Sequence, residues 1–152
     1  MAARKKLSNA LEDYLEAILR LVSRDGVARS KKIADMLGVS RPSVTAALKQ
    51  LSGRGLVSYE PYGYATLTDK GLAEAGRIER KHRVIESFFV DVLNLDRSAA
   101  QEAACKAEHV LGPEVISRLV EFHDFVNRTA PSGTGSIAEQ FRNFQGNTRS
   151  GV

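Results

Sequence analysis

Apolar residues in the first third of the chain recur with the spacing of helices. Between residues 7 and 24 they occupy the i, i+4, i+7, i+8 and i+11 positions of an amphipathic helix, at Leu11, Leu15, Ile18, Leu19 and Val22. Residues 30–37 and 41–54 predict two shorter helices joined by a turn at Gly38, and a short strand is expected around Val27–Ala28. The buried face of the 30–37 helix is expected to contain Ile33, Met36 and Leu37.

Residues that favour helix starts accompany these segments. Ser8 or Asn9 is suited to cap the first helix and Ser30 the second, because their side chains can accept a hydrogen bond from the first turn. Pro42 falls in the first turn of the third helix, where a missing N–H removes no hydrogen bond. The three helices are therefore predicted with defined beginnings.

The next segment, residues 55–68, has the alternation of a two-stranded hairpin. Val57, Tyr59, Ala65 and Leu67 flank a turn that contains Pro61, Tyr62 and Gly63. Thr68 or Asp69 is expected to cap a long helix ending near Asn94, and further helices are predicted at about 97–111 and 113–127. A helix, a helix–turn–helix and a hairpin, in this order, predict a winged helix–turn–helix.

The fold class is therefore predicted as mainly α, with an N-terminal winged helix–turn–helix followed by a helical domain. We place the first domain at residues 1–72 and the helical domain at 73–130. Residues 131–152 are rich in Gly, Ser and Thr and predict a mobile tail. Within this tail, the capping box formed by Ser136 and Glu139 indicates one short helix over residues 137–144.

Positive charge is concentrated in the first domain. Residues 1–72 contain 12 Lys and Arg against 7 Asp and Glu, whereas the remaining 80 residues contain 10 against 11. An N-terminal excess of this kind favours a polyanionic partner, and the predicted recognition helix indicates that this partner is double-stranded DNA. The alternative, a protein-docking bundle whose basic residues only maintain solubility, remains open from charge alone.

The residues predicted to contact DNA are short polar side chains and cations around the helix–turn–helix. In the recognition helix and its turn they are Ser40, Arg41, Pro42, Ser43, Thr45 and Lys49. Phosphate contacts are expected from the basic residues Arg4, Lys5, Lys6, Lys31, Lys32 and Arg54.

Composition also bounds the location. The chain has one cysteine, no apolar run of eighteen residues, and no apolar segment behind its basic N-terminus. We therefore expect a cytoplasmic protein without a disulfide, a membrane span or a secretory signal.

Three groups of residues have the spacing of metal ligands on helices. Cys105, Glu108 and His109 stand at i, i+3 and i+4, so one helix face presents all three. Asp13 and Glu16 have i, i+3 spacing, and His82 and Glu86 have i, i+4 spacing. Each group also has a simpler explanation: favourable charge at a helix start, an exposed cation in "RKHR", or a small core cysteine.

The segments "LEDYLEAI", "LTDKG", "RKHRVIESFF" and "EAACKAEHVL", together with the winged helix, resemble the diphtheria-toxin-repressor family of metal-dependent regulators over roughly residues 7–127. The resemblance implies a DNA-binding domain, a helical dimerisation domain and a transition metal that bridges them in a homodimer. The chain has the size expected of the short, manganese-responsive branch, which lacks a C-terminal Src-homology-3-like domain.

The resemblance also assigns ligands. Asp13 and Glu16 match the acidic pair of the manganese branch, whereas Cys105 matches the iron-type members at a position where the manganese branch has glutamate. His82, Glu108 and His109 match ligands shared by both branches. Glu86 matches an ancillary-site ligand of the iron-type members, but Gln101 replaces the partner histidine of that site.

This mixture of carboxylates and a thiolate predicts Mn²⁺ or Fe²⁺ as the co-repressor. Asp13, Glu16, Cys105 and Glu108 would supply four negative charges, enough for two divalent ions per subunit. The hypothesis is that a metal holding both domains fixes the spacing of two recognition helices and thereby represses genes of metal homeostasis.

Two other functions are compatible with parts of the sequence. Cys105 could act as a redox sensor on a winged-helix regulator, although no second cysteine is present to resolve an oxidised thiol. A zinc hydrolase could use Cys105, Glu108 and His109, but the sequence contains no phosphate-binding glycine loop, Ser–His–Asp arrangement or HExxH motif. We therefore expect neither an enzyme nor a small organic substrate.

Overall fold

A computed structural model describes residues 6–61, 63–128 and 135–149 of the 152-residue chain. Two of the predicted DNA contacts, Arg4 and Lys5, and the turn residue Tyr62 lie outside the described residues. The chain divides into two compact units, Met1–Glu79 and Arg80–Val152, and each unit is described by itself.

The N-terminal unit begins with the helices predicted from apolar periodicity. They are α1 (Asn9–Asp25), α2 (Ser30–Leu37) and α3 (Arg41–Gly53). The side chain of Ser8 caps α1 by accepting from the Leu11 N–H, and Ser40 caps α3 by accepting from the Ser43 N–H. The prediction that Ser30 caps α2 is wrong: Arg29 is the N-cap residue, because Ser30 already belongs to the helix.

A three-stranded antiparallel sheet completes the winged fold. The strands are β1 (Ala28–Arg29), β2 (Val57–Tyr59) and β3 (Tyr64–Leu67), arranged in the order β1-β3-β2. Ala28 pairs with Ala65, and Val57 pairs with Leu67. The hairpin is therefore the predicted wing, and β1 adds the strand that the sequence placed one residue earlier.

The core of this unit lies where the three helices meet the sheet. Leu15, Ile18, Ile33, Val44, Leu48 and Leu51 are fully buried there. The prediction that Met36 is buried is wrong, because 41% of its surface is exposed. Gly38 ends α2 with φ 65°, a left-handed conformation that glycine adopts at little cost, and this lets α3 turn away from α2.

The start of α4 (Asp69–Ser87) contacts the short segment between α3 and β2. The Thr68 hydroxyl accepts from the Gly71 N–H at 3.0 Å and donates to the Gly55 carbonyl at 2.7 Å. A Cβ on Gly71 would lie 1.8 Å from the Leu56 carbonyl oxygen. Only glycine permits this approach between the helix and the backbone before β2.

The C-terminal unit is helical. A π-helical turn, Phe88–Val92, follows α4, and α5 (Arg97–Val110) and α6 (Pro113–Arg128) come next. One small core joins Ile85, Ala104 and Ile116. The π-helical turn replaces the last regular turns of the helix that was predicted to end near Asn94, and Asn94 itself has a left-handed φ of 58°.

The last described element is α7 (Ile137–Arg149), which is longer than the short helix predicted at 137–144. Ser136 and Glu139 form the predicted capping box, with the Ser136 N–H donating to the Glu139 carboxylate and the Glu139 N–H donating to the Ser136 hydroxyl. Ala138 is buried in a second core with Val92 and Val126. The first turn of α7 therefore packs against the helical unit through Ala138. The mobility of residues 131–152 stays a prediction.

Within the described residues, every helix is too short or too polar to cross a bilayer.

Candidate functional site

One face of α5 gathers three different metal-binding groups. The Cys105 sulfur, a carboxylate oxygen of Glu108 and a ring nitrogen of His109 all lie within 4.8 Å of one another. Asp96 caps the helix by accepting from the Ala99 N–H, and Ala100 and Ala104 bury the opposite face. The sequence spacing therefore places the three donors together as predicted, on a helix whose orientation the core determines.

The burial of these three side chains differs in a way that suits a binding site. Glu108 is only 5% exposed, His109 is half-buried and Cys105 is exposed. A carboxylate with so little access to water is costly to keep ionised unless hydrogen bonds or a cation compensate. The exposed thiol gives the cluster an open side through which an ion can enter.

His82 and Glu86, on the second half of α4, extend the cluster. His82 Nδ1 lies 2.9 Å from Glu108 Oε2, and His82 Nε2 lies 3.7 Å from Glu86 Oε2. His109 Nε2 is 3.8 Å from Glu108 Oε1. The structure therefore brings Cys105, His82 and His109 close to the Glu108 carboxylate, and Glu86 close to the other nitrogen of the His82 ring.

These residues fit a divalent transition metal by donor type and by spacing. A first-row ion holds thiolate, imidazole and carboxylate donors at roughly 2.0–2.3 Å, so opposite donors of one ion are at most about 4.6 Å apart. The observed limit of 4.8 Å between the α5 donors is close to that distance. Small side-chain movements would bring the three within bonding distance of one ion.

The two predicted ligands of the N-terminal unit lie on α1. Glu16 is buried and forms an ion pair with Arg20, with 2.5 Å between Oε1 and Nη2. Asp13 is half-buried. Both therefore belong to the partly enclosed side of α1.

Glu12, which the sequence analysis did not single out, is also buried on α1. Glu74 hydrogen-bonds Arg77 through two contacts, and Glu74 and Glu12 together raise the pKa of the Arg77 guanidinium. The available signal was that Glu12 directly follows the apolar residue Leu11 and is one of three acidic residues within five positions. A local pattern alone does not reveal that such a carboxylate is enclosed.

The predicted DNA-contacting residues lie on the exposed side of the helix–turn–helix. Arg41, Pro42, Ser43 and Lys49 are exposed on α3 and Thr45 is half-buried, while Ser40, Lys31 and Lys6 are exposed outside that helix. The Ser40 and Ser43 hydroxyls lie 2.8 Å apart and hydrogen-bond each other, so both help to cap the helix.

Two further residues, Ala46 and Gln50, are exposed on the same side of α3 and were not singled out from the sequence. Their signal was available: the helical repeat places both between Pro42 and Gly53 on the face opposite Val44 and Leu48.

An apolar surface lies on α6 of the C-terminal unit. Val115 is 46% exposed, Phe122 is 45% exposed and Phe125 is 52% exposed. The Phe122 ring contacts Phe88 edge-on at 6.0 Å between centroids and lies 6.5 Å from the Phe125 ring. Several large apolar side chains that remain exposed on one helix indicate an interaction surface.

Two family models match consecutive parts of the chain. The model described as the iron dependent repressor N-terminal DNA binding domain matches residues 6–65. The model described as the iron dependent repressor metal binding and dimerisation domain matches residues 68–135.

Similar proteins agree with these matches. An uncharacterised HTH-type transcriptional regulator of Methanocaldococcus jannaschii is 40% identical over 117 residues, which cover 76% of this chain and 94% of that protein. The diphtheria toxin repressor of Corynebacterium efficiens is 35% identical over 125 residues, covering 82% of this chain and 54% of the repressor. The solved structure of the manganese regulator SloR superimposes with a TM-score of 0.64 at 35% identity, covering 76% of this chain and 54% of that one. The chain thus spans about half the length of the latter two proteins.

Proposed function

The chain belongs to the iron-dependent repressor family, and from this membership we propose that it is a homodimeric transcriptional repressor that binds DNA when loaded with Mn²⁺ or Fe²⁺ and controls genes of metal-ion homeostasis. We place this activity in the cytoplasm, where DNA is available and the single cysteine stays reduced.

The observation that carries the proposal is the donor cluster on α5. A thiolate, an imidazole and a buried carboxylate within 4.8 Å of one another form a ligand set, and a sensor requires such a set. The same chain carries an exposed recognition helix and wing in its other unit. A metal site and a DNA-binding fold in one chain are the two parts that a metal-dependent regulator needs.

Five residues of the C-terminal unit are proposed as ligands: His82, Glu86, Cys105, Glu108 and His109. With its proton on Nδ1, the His82 ring donates to Glu108 and keeps the lone pair of Nε2, the atom that lies 3.7 Å from Glu86. A carboxylate that fixes the tautomer of a histidine in this way orients the other ring nitrogen for a metal. Glu108 would then act both as a ligand and as the group that positions His82, and two ions per subunit could share this cluster.

We extend the ligand set to Asp13 and Glu16 of α1, whose roles rest on the resemblance and on their partly enclosed carboxylates. When bound, the metal supplies positive charge that makes burial of these carboxylates favourable. If these residues and the α5 donors bind the same ion, substitutions in the two groups will not be additive. A double-mutant cycle between Asp13→Asn and Glu108→Gln, read as metal affinity, tests this directly.

Metal binding and operator binding are expected to be positively coupled, with a coupling free energy of about 1–3 kcal/mol. In a dimer the two recognition helices must reach half-sites roughly one helical turn of DNA apart. The exposed apolar side chains of α6, Val115, Phe122 and Phe125, are proposed as part of the surface that joins the two copies.

Because the donor set is mixed, the ion that occupies the site depends on the relative affinities for Mn²⁺ and Fe²⁺ and on the cellular concentrations of the two ions. Carboxylates favour hard Mn²⁺, whereas the Cys105 thiolate favours Fe²⁺ and other softer ions. The redox alternative for Cys105 gains no support from the relatives, which are named for iron and manganese.

A mobility-shift titration tests the proposed function. The chain's own promoter DNA is mixed with the protein and Mn²⁺, Fe²⁺, Co²⁺ or Zn²⁺, and a parallel series contains a chelator. Binding that requires metal and disappears with the chelator is expected. Equal binding in every lane would show that the protein is not metal-dependent.

A further inference from the structure

The outward face of α3 consists of the residues that do not pack into the core of the N-terminal unit. Val44, Ala47, Leu48 and Leu51 are buried against the other elements of the N-terminal unit. The exposed positions Pro42, Ala46, Lys49, Gln50 and Gly53 follow the i, i+4, i+7, i+8, i+11 pattern and therefore share the opposite side. Ala46 and Gln50 occupy the middle of this face.

The polar groups on this face differ in their availability. The Ser40 and Ser43 hydroxyls hydrogen-bond each other at the start of α3, and the Ser40 hydroxyl also accepts from the Ser43 N–H. The Gln50 amide forms no side-chain hydrogen bond within the part of the chain that the structure describes, so its donor and acceptor both remain for a partner. Lys49 carries a charge that suits a phosphate but identifies no particular base.

We propose that Gln50 and Ala46 determine which DNA sequence this protein prefers, with Gln50 reading an adenine and Ala46 contacting a thymine methyl group. The inference rests on the proposed DNA-binding function. The NH2 group of a glutamine amide donates to adenine N7, and its carbonyl oxygen accepts from the adenine N6 amino group. In the major groove only adenine offers this acceptor and donor on one base edge, because guanine presents two acceptors there. An exposed alanine methyl presents a small apolar surface that matches the thymine C5 methyl in the major groove.

The spacing of the two residues limits where the two bases lie. Ala46 and Gln50 are four residues apart, so they are separated by about 6 Å along the helix axis. Successive base pairs are roughly 3.4 Å apart. The adenine and the thymine should therefore lie within about two base-pair steps of each other in each half-site.

The first test compares Gln50→Ala with Lys49→Ala on a randomised duplex library in the presence of Mn²⁺. The wild-type protein should enrich one adenine in each half-site, and Gln50→Ala should reduce that preference by roughly 5- to 150-fold, the range of one bidentate pair. Lys49→Ala should weaken binding to all sequences without changing the preferred base. An unchanged base preference in Gln50→Ala overturns the assignment of Gln50.

The second test uses the enriched duplex with single thymines replaced by deoxyuridine, which lacks only the methyl group. At one thymine, close to the adenine, the replacement should weaken wild-type binding by about fourfold, the effect of one buried methyl-sized group. In Ala46→Gly this penalty should disappear, while the penalty for changing the adenine should persist. A wild-type protein indifferent to every replacement overturns the role of Ala46.

The outcomes of these tests separate the DNA-binding function from the roles of Gln50 and Ala46. If no duplex in the library is enriched with any metal, the DNA-binding function itself is wrong. If duplexes are enriched but neither variant alters base preference, the function stands and the assignment of Gln50 and Ala46 is wrong.

Discussion

His82 and Glu108 are 26 positions apart in the sequence, yet His82 Nδ1 lies 2.9 Å from Glu108 Oε2. Both side chains are buried, at 8% and 5% exposure. A hydrogen bond between two enclosed groups is stronger than one in water, and loss of either partner leaves the other unsatisfied. The contact joins α4 to the Cys105, Glu108 and His109 face of α5 and makes Glu108 the residue on which the proposed metal site depends most.

Replacing Glu108 by glutamine removes a charge and preserves side-chain volume. We expect Glu108→Gln to lower Mn²⁺ affinity by at least roughly tenfold, because both a ligand and the orientation of His82 are impaired. Titration calorimetry measures the affinity, and the increase in melting temperature on adding Mn²⁺ should shrink in parallel. Glu102→Gln, at an exposed residue of the same helix that pairs with Lys106, is the matched control and should bind like wild type. Equal affinities in both variants would remove Glu108 from the site.

The Cys105 thiolate should shift the metal preference of the site towards softer ions such as Co²⁺. The wild-type protein loaded with Co²⁺ should show near-ultraviolet thiolate-to-cobalt charge-transfer absorption, and a Cys105→Ser variant should lack it. Cys105→Glu should shift the preference from Co²⁺ towards Mn²⁺, since a carboxylate is a harder ligand than a thiolate. Competition titrations measure that preference. A wild-type spectrum without thiolate absorption would mean that Cys105 does not bind the ion.

The exposed apolar side chains of α6 should hold the dimer together. Introducing a charge with Phe122→Asp should raise the dimer dissociation constant by at least roughly tenfold, because a charged group in an apolar interface must lose its hydration. Sedimentation velocity across a concentration series gives the constant. Ser117→Asp adds the same charge to an exposed polar position of α6 outside this apolar group and should leave the dimer intact. Identical sedimentation of the two variants would place the interface elsewhere.

Gly71 should tolerate no side chain. Gly71→Ala would bring a Cβ to 1.8 Å from the Leu56 carbonyl oxygen, so the backbone must move. We expect the free energy of unfolding to fall by roughly 3 kcal/mol or more. For a chain of this size that corresponds to a melting temperature lower by roughly 6–12 °C. Gly53→Ala, at a helical glycine whose Cβ would meet nothing within 4 Å, is the control and should stabilise the protein by about 0.5–1 kcal/mol.

The Asp25 carboxyl at the end of α1 should titrate at unusually low pH. Hydrogen bonds from Arg24 and Lys32 lower the pKa of Asp25 from 3.8 to about 2. The stability that this group contributes is therefore complete above pH 3.8 and is lost as the pH falls towards 2. Carboxyl carbon chemical shifts measured across this range report the pKa. Arg24→Ala should raise the pKa more than Lys32→Ala does, and a pKa unchanged in both variants would contradict this cause.

Much of the local structure could be predicted from the sequence because its causes are local. The apolar spacing from Leu11 to Val22 specifies the buried side of α1, and the i, i+3, i+4 spacing places Cys105, Glu108 and His109 on one face of any helix that contains them. The capping box of Ser136 and Glu139 likewise requires only neighbouring residues.

The features that were missed depend on contacts between distant segments. Met36 has helical spacing with Ile33, yet it is exposed while Ile33 is buried, because packing of α2 against its neighbours decides which part of the apolar stripe is covered. The burial of Glu12 and the close approach of Gly71 to Leu56 have the same origin.

By itself, the sequence determined the order of helices and strands, the charge of the N-terminal part and the donor types on α5. Tertiary structure alone decided that the His82 ring reaches Glu108 and that α7 buries Ala138 beside Val92 and Val126. The physical reason is the sequence separation between the residues that interact. Helical periodicity and capping involve residues within about four positions of one another, whereas burial and contacts across 26 positions arise only when separate helices pack together.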